Sequence, residues 1–413
     1  MMNTVTLQPT QEKERILSLD ILRGIAVLGI LVMNIQSFSM ISQAYMNPTA
    51  FGDLTGLNKW VFIFGDVFFN LKFMALFSMM FGAGIILITD KALKKTGRSA
   101  GLHYRRNFWL LLIGLLHAHL IWYGDILVPY ALCGFIVFLF RKKKPKTQLI
   151  MGIIILSIGS LLYIFNGFSL PYMPEEAVKG IRTNWVASPE MMKEEINGYT
   201  GTYTEQTTVR SHSALMMETN VFLFYFLWRV SGLMLIGMAL YKWGILVAKR
   251  SRSFYKRGFL WSIIPGLLLV IYGNIKNFEH NWSFEYSMFL GSQYNYWGSL
   301  LLVYSYICLV MLFVQSNILD RLKDRLAAVG RMALTNYLLQ SIICIFIFYG
   351  IGLGLYGQVS RTFQLLIVLG IWILQLLYSK PWLKRYYFGP FEWLWRSLTY
   401  LRWQRFKKES TKY

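Results

Sequence analysis

The sequence predicts an all-α protein, a polytopic transmembrane helical bundle of about ten spans with both termini cytoplasmic. Three observations carry this. Apolar runs close to the roughly 20 residues needed to cross a bilayer recur along the chain. Charged residues make up only 15% of 413, where a soluble domain carries about a quarter. The basic excess, 42 Lys and Arg against 20 Asp and Glu, is unevenly spread.

The runs cover residues 21–40, 68–88, 108–122, 126–140, 149–168, 221–240, 259–275, 296–314, 334–355 and 363–378. The third and fourth are short and meet at Tyr123-Gly124-Asp125, so a re-entrant pair is an alternative for them. With the N-terminus placed in the cytoplasm, the inner segments are 1–23, 89–107, 141–148, 241–258, 315–331 and 379–413. They collect 33 of the 42 basic residues and 8 of the 20 acids. Every inner loop is basic, which is the positive-inside pattern, and an odd span count would break the alternation. The chain thus divides into a cytoplasmic segment (1–20), five helices (21–168), an extracellular loop (169–219), five more helices (220–378) and a basic aromatic tail (379–413). No small-residue cleavage site follows the first run, so it is read as a retained span.

Composition also excludes classes. Disorder needs low hydrophobicity, and this chain is 55% hydrophobic. A nucleic-acid binder would carry its basic residues on a well-charged surface. Cys133, Cys308 and Cys344 each lie in an apolar run, which argues against a disulfide scaffold or a Cys-rich zinc site.

The loop 169–219 holds Pro171, Pro174, Pro189 and seven Glu. Ser188-Pro189-Glu190 reads as a cap, a helix-start proline and a dipole-favoured acid, opening a short helix that stops near Gly198. The loop is a solvated cap or a lid. In the tail, Glu392 and Arg396 are four apart and able to pair on one face. The Trp and Tyr residues there, interleaved with Arg and Lys, suit a headgroup layer of anionic lipid.

Polar residues inside spans are costly and therefore informative. Asp20 and Arg23 share a face at the start of the first span and read as a structural ion pair; snorkelling explains Arg23 equally well. Asn34 lies further along the same run. His117 and His119, two apart, point to nearly opposite helix faces, so they do not share a metal, and no metal site is expected. An imidazole takes and returns a proton near neutral pH, which makes His117 a candidate base. Asp125, beyond the Gly124 break, is placed to fold back and orient that ring. Arg229 sits mid-span and needs a carboxylate, a carbonyl cage or an anionic ligand, with Asp66, Asp125 and Glu218 as candidate partners. Gly82-Ala83-Gly84 and Gly350-Ile351-Gly352-Leu353-Gly354 read as close helix packing.

Several runs resemble the YeiB-like family of bacterial integral membrane proteins (domain of unknown function 418). They are Leu19-Asp20-Ile21-Leu22-Arg23-Gly24, Gly114-Leu115-Leu116-His117 with Gly124-Asp125-Ile126-Leu127, the stretch from Met332 to Ser341, and Gly389-Pro390-Phe391-Glu392-Trp393-Leu394-Trp395-Arg396. They reach over nearly the whole chain. The family is grouped with transmembrane acyltransferases, including sugar O-acyltransferases and heparan-alpha-glucosaminide N-acetyltransferase. The resemblance implies a multi-pass protein of the bacterial cell membrane. It also implies acyl transfer from cytoplasmic acyl-CoA, as a diffusible co-substrate, to a cell-envelope acceptor on the outer side. In the sugar O-acyltransferases a catalytic His follows the Asp of the first run by fourteen positions; here that position is Asn34.

The expected site therefore has His117 as base, Asp125 as its orienting group and Asn34 as hydrogen-bond donor to the oxyanion. Arg23, Arg105 and Arg106 would hold CoA phosphates, and Arg229 an anionic group. The alternative is a transporter or exporter of a small anionic molecule, resting on Arg229, Asp66 and the Glu-rich loop.

Overall fold

The computed structural model describes residues 15–409. Among them all regular structure is helical. In chain order, α1 (Leu17–Ser39) is followed by α2 (Gly56–Phe68), α3 (Lys72–Thr96), α4 (Ala100–Leu120), α5 (Leu127–Val137) and α6 (Pro145–Ser169). Three shorter helices come next: α7 (Glu175–Thr183), α8 (Pro189–Thr200) and α9 (Tyr203–Met216). The second half holds α10 (Leu227–Lys242), α11 (Arg252–Glu279), α12 (Ser292–Val314), α13 (Asp320–Arg331), α14 (Ala333–Phe348), α15 (Arg361–Arg385) and α16 (Pro390–Tyr400).

Burial separates the central helix from the peripheral ones. α1 is buried along nearly its whole length, packed by α3, α12, α13, α14 and α15. In contrast, α6, α11 and α15 present Phe165, Trp261 and Phe363 outward, each more than 60% exposed. An apolar belt of this kind is stable only against lipid. Small residues set the closest approaches. A Cβ on Gly330 would lie 1.8 Å from the Asp20 carbonyl oxygen, and one on Gly24 2.1 Å from that of Leu326. Thus α1 and α13 cross backbone to backbone. Gly82 of α3 and Gly237 of α10 do the same, each facing a carbonyl 2.0 Å from its would-be Cβ. Packing of this sort replaces the hydrophobic drive that is missing between helices in lipid.

Seven helices are long and apolar enough to cross a membrane, eight if α13 and α14, bent by 80°, form one crossing. The ten expected from sequence are reduced at 108–122 and 126–140. The first falls on α4, whose lower half carries His103, Arg105, Arg106 and Asn107. The second is α5 with a 3₁₀ turn, Leu127–Phe140, about 21 Å at 1.5 Å per residue and short of the roughly 30 Å hydrocarbon core. The second span is broken: α2 and α3 lie in one 41-residue stretch, interrupted where Leu71 adopts φ 66°. The run 334–355 is also shorter than expected. α14 stops at Phe348, and the glycine-rich residues after it reverse the chain, with the Leu353 N–H bonded to the Phe346 carbonyl at 2.8 Å.

Residues 169–219 are mostly helical. Ser188 Oγ accepts the Met191 N–H at 3.3 Å and caps α8, and Thr202 with Glu205 forms a capping box on α9. α9 then runs through a π-helical stretch, Met217–Phe226, into α10. The α8 segment is fastened to the ends of the spans. Glu195 Oε1 accepts the Ser42 N–H and the Tyr356 hydroxyl, both at 2.9 Å, and burial holds its carboxyl above the ordinary range. This cap covers the end opposite the basic loops.

At the basic end, α16 docks on the bundle. The Trp395 indole donates to the Arg106 carbonyl at 2.9 Å. The Glu392–Arg396 pairing that their spacing suggests does not form, because Glu392 serves α14: Oε1 accepts the Leu334 and Thr335 N–H groups at 2.6 and 3.0 Å.

Candidate functional site

α4 ends where the His117 carbonyl accepts two N–H groups, from Ile121 and Trp122, at 2.9 and 2.8 Å. The chain then doubles back through Gly124, where a Cβ would stand 2.3 Å from the Trp122 ring. This reversal delivers Asp125. Its Oδ2 accepts the Val128 N–H at 2.7 Å in the first turn of α5, and its Oδ1 lies 2.8 Å from His117 Nδ1. The carboxylate is fixed by one helix while it orients a ring on another. On the other side of the ring, His117 Nε2 lies 2.9 Å from Ser341 Oγ of α14. With a carboxylate on Nδ1, these partners assign the proton to Nδ1 and leave Nε2 as the nearer of two acceptors for the serine hydroxyl, the other being the Tyr337 carbonyl at 3.4 Å. His117, Asp125 and Ser341 are 1%, 4% and 1% exposed. Two aromatic rings complete the setting, Tyr337 at 5.2 Å and Trp122 at 6.2 Å from the imidazole. The Tyr337 hydroxyl and Trp122 indole N–H are buried and have no partner among the described residues. Such orphans are expensive and call for an explanation.

Below Tyr337 a cleft of about 200 Å³ opens toward the basic end. Its walls are apolar, with Ile30, Phe77, Met80 and Leu110, and its inner limit is set by Ile126, Leu127 and Tyr337, the residues flanking Asp125 and His117. A somewhat smaller cavity holds a benzene-sized molecule, so this shape takes a thin chain. Its mouth is charged: among the described residues Arg15, Arg23, Arg106, Arg331 and Arg396 line it, with Asp20 and Glu392. Asp20 is shared between Arg15 at 3.2 Å and Arg23 at 3.1 Å. Glu392 is committed to α14. Arg106 lies over the Trp395 ring, 4.1 Å from its centroid. Burial, with Arg15 as neighbouring like charge, lowers Arg396 to about 10. Among the described residues, a half-buried cluster of cations outnumbers the carboxylates of the mouth.

The sequence-derived residues therefore separate. Arg23 and Arg106 line the cleft, whereas Arg105 turns away and donates to the Thr399 carbonyl of α16. Asn34 does not join His117, whose two nitrogens are taken by Asp125 and Ser341, and its side chain makes no hydrogen bond among the described residues. His119 faces elsewhere, 3.2 Å from Glu218. Arg229 is fully buried, and none of its three candidate carboxylates reaches it. It bonds instead to the Tyr296 carbonyl at 3.1 Å and the Ser299 hydroxyl at 2.6 Å, and lies over the Tyr296 ring. Asp66 is held by Asn70 and Asn274, each at 2.7 Å, beside Lys72 Nζ, which bonds to the Asp66 carbonyl and Asn295. Sequence reasoning missed Ser341. The available signal was the polar set Asn336, Gln340 and Ser341 in an otherwise apolar helix.

The fold defines a polytopic helical membrane protein, with a basic-mouthed cleft that ends at Ile126, Leu127 and Tyr337 beside a buried His–Asp–Ser chain. The chain belongs to the family described as "Protein of unknown function (DUF418)", which matches residues 240–402. It is 34% identical over 427 residues to "Uncharacterized protein YxaH" of Bacillus subtilis (strain 168), covering 98% of this chain and 99% of that one. It is also 29% identical over 394 residues to "Uncharacterized protein YeiB" of Escherichia coli (strain K12), covering 94% and 96%. No solved structure matches.

Proposed function

We propose that this protein is an acyltransferase of the bacterial cell membrane. It takes its acyl group from acyl-CoA arriving at the basic, cytoplasmic end and passes it to an envelope acceptor on the outer side. The carrying observation is the continuity of the cleft, from its arginine mouth along an apolar wall to the residues flanking His117 and Asp125. Guanidinium groups match phosphate geometry, so Arg23, Arg106 and Arg396 would hold the donor's phosphates. The thin apolar passage would take the pantetheine arm and a short acyl chain. His117, oriented by Asp125, would accept the proton released when a hydroxyl attacks the thioester carbonyl. The basic loops and the exposed Trp403 at the same end suit anionic lipid.

Purified protein in lipid nanodiscs, given acyl-CoA donors of graded chain length, is expected to release thiol detectable with a chromogenic disulfide. His117→Ala is expected to abolish release while the protein remains folded. No release from any donor overturns the reading.

One observation favours transport instead: the break between α2 and α3 at buried Asp66 and Lys72, with Arg229 nearby, since broken helices in transporters line substrate sites. Uptake of a small anion into proteoliposomes without any donor present would support it.

A further inference from the structure

We infer that Ser341 is the nucleophile of the transfer, and that the reaction passes through an ester on its hydroxyl. This rests on the acyl-transfer reading above. A nucleophile, a base within hydrogen-bond reach and a third group orienting that base are the parts of an activated hydroxyl. Here they are Ser341 Oγ to His117 Nε2 at 2.9 Å and His117 Nδ1 to Asp125 Oδ1 at 2.8 Å. All three side chains are buried, so no bulk water competes for the base. Ser341 sits one helical turn beyond Tyr337 and on the same face of α14. Tyr337 closes the inner limit of the cleft, with its own buried hydroxyl unpartnered. The cleft thus ends one helical turn of α14 short of the serine.

The chemistry balances in two half-reactions. In the first, Ser341 Oγ attacks the thioester carbonyl as its proton passes to His117 Nε2. The carbon–sulfur bond then breaks, and the thiolate leaves as the free thiol carrying that proton. In the second, an acceptor hydroxyl attacks the seryl ester and gives its proton to His117. The ester carbon–oxygen bond breaks, and the proton returns to Ser341 Oγ. Asp125 supports the imidazolium in both halves and is not itself protonated.

The same arrangement distinguishes Ser341 from its neighbour Cys344, a buried free thiol one turn further along α14. An ester on serine survives neutral hydroxylamine, whereas a thioester on cysteine is cleaved.

The test uses full-length protein in nanodiscs with radiolabelled short-chain acyl-CoA and no acceptor, quenched in denaturant. The expected result is a burst of about one thiol per protein with a hydroxylamine-resistant label on the peptide containing Ser341. Ser341→Ala should remove burst and label together while the protein stays folded. Ser341→Cys should restore a label that hydroxylamine now releases. Thiol release without a covalent label overturns the inference and leaves acyl transfer standing by direct attack; a label that persists in Ser341→Ala overturns it by placing the ester or thioester on another residue. Absence of thiol release from every donor overturns the transfer reading and this step with it.

Discussion

Glu392 Oε2 accepts the Thr335 hydroxyl at 2.5 Å, joining two runs 57 residues apart. With the Leu334 and Thr335 N–H groups on its other oxygen, the carboxylate closes the N-terminus of α14 from outside that helix. The first-turn N–H groups of a helix have no partner within it, and a negative group there also meets the positive end of the helix dipole. The tail thereby becomes a wall of the cleft, and it steadies the helix that presents Tyr337 and Ser341.

Glu392→Ala should lower stability by about 1–3 kcal/mol, the cost of leaving buried donors unpaired. The pH dependence has a definite sign. Burial is the dominant influence on this carboxyl and raises it above the ordinary glutamate range despite its hydrogen bonds. A group raised in the folded state contributes stability that is complete below its unfolded value and is lost as pH rises through the folded one. The wild-type melting temperature should therefore fall as pH climbs from about 4 toward neutrality, and Glu392→Gln should make that fall shallower, with Glu195, also raised by burial, keeping the remainder. Differential scanning fluorimetry in detergent reads both effects; a wild-type profile already flat in this window would remove the argument.

Asp125 separates capping from catalysis. Asparagine keeps an acceptor for the Val128 N–H, so Asp125→Asn should cost little stability, while Asp125→Ala should cost about 1 kcal/mol. Both lose the carboxylate on His117 Nδ1, and transfer should fall by a factor on the order of 10³ to 10⁴ in each. Thermal melts alongside thiol release measure the two effects independently. Equal losses of stability in the two variants would contradict the capping geometry.

What the sequence made legible follows from the range of the forces involved. The helical class is readable because apolar runs are a local count, and the fold-back of Asp125 on His117 is readable because only Gly124 and its neighbours intervene. Arg105 and Arg106 look alike in sequence. They diverge because adjacent helical positions point about 100° apart, one toward α16 and the other toward the cleft. The Ser341–His117 contact spans 224 residues and depends on how α4 and α14 are packed, which no local spacing encodes. Arg229 illustrates the converse. Its buried charge demanded partners, and a carbonyl, a hydroxyl and a ring met the demand where carboxylates were expected. Element ends have the same origin: α5 is apolar enough, but with its 3₁₀ turn it runs only from Leu127 to Phe140.

The α1–α13 crossing should tolerate no side chain. Gly330→Ala places a methyl group 1.8 Å from the Asp20 carbonyl oxygen, a contact relieved only by moving backbone. Overpacking of this kind costs about 1–3 kcal/mol or more. Gly180, in α7, has nothing within 4 Å of its would-be Cβ. Gly180→Ala should instead gain up to about 1 kcal/mol from helix propensity. Opposite signs in paired melts are the expected outcome, and a neutral Gly330→Ala would show that the two helices sit further apart.

The arginines of the mouth should divide by orientation, not by charge. Arg106→Gln and Arg396→Gln each remove a guanidinium that lines the cleft. A hydrogen bond to a charged group is worth about 1.5–3 kcal/mol, so each change should raise the donor KM roughly 10- to 100-fold. The turnover of bound donor should change little, because His117 is held by Asp125 and Ser341 and by neither arginine. Arg105→Gln removes the same charge from the neighbouring position, but that side chain is spent on the Thr399 carbonyl. Its expected effect is a modest loss of stability with the donor KM nearly unchanged. Raising salt should weaken donor binding in the wild type and in Arg105→Gln alike, and less in Arg106→Gln, where one phosphate contact is already gone. Initial-rate thiol release across donor concentrations at two ionic strengths decides the matter. If Arg105→Gln raised KM as much as Arg106→Gln, net positive charge alone would explain donor capture and the cleft would lose its place as the donor's path.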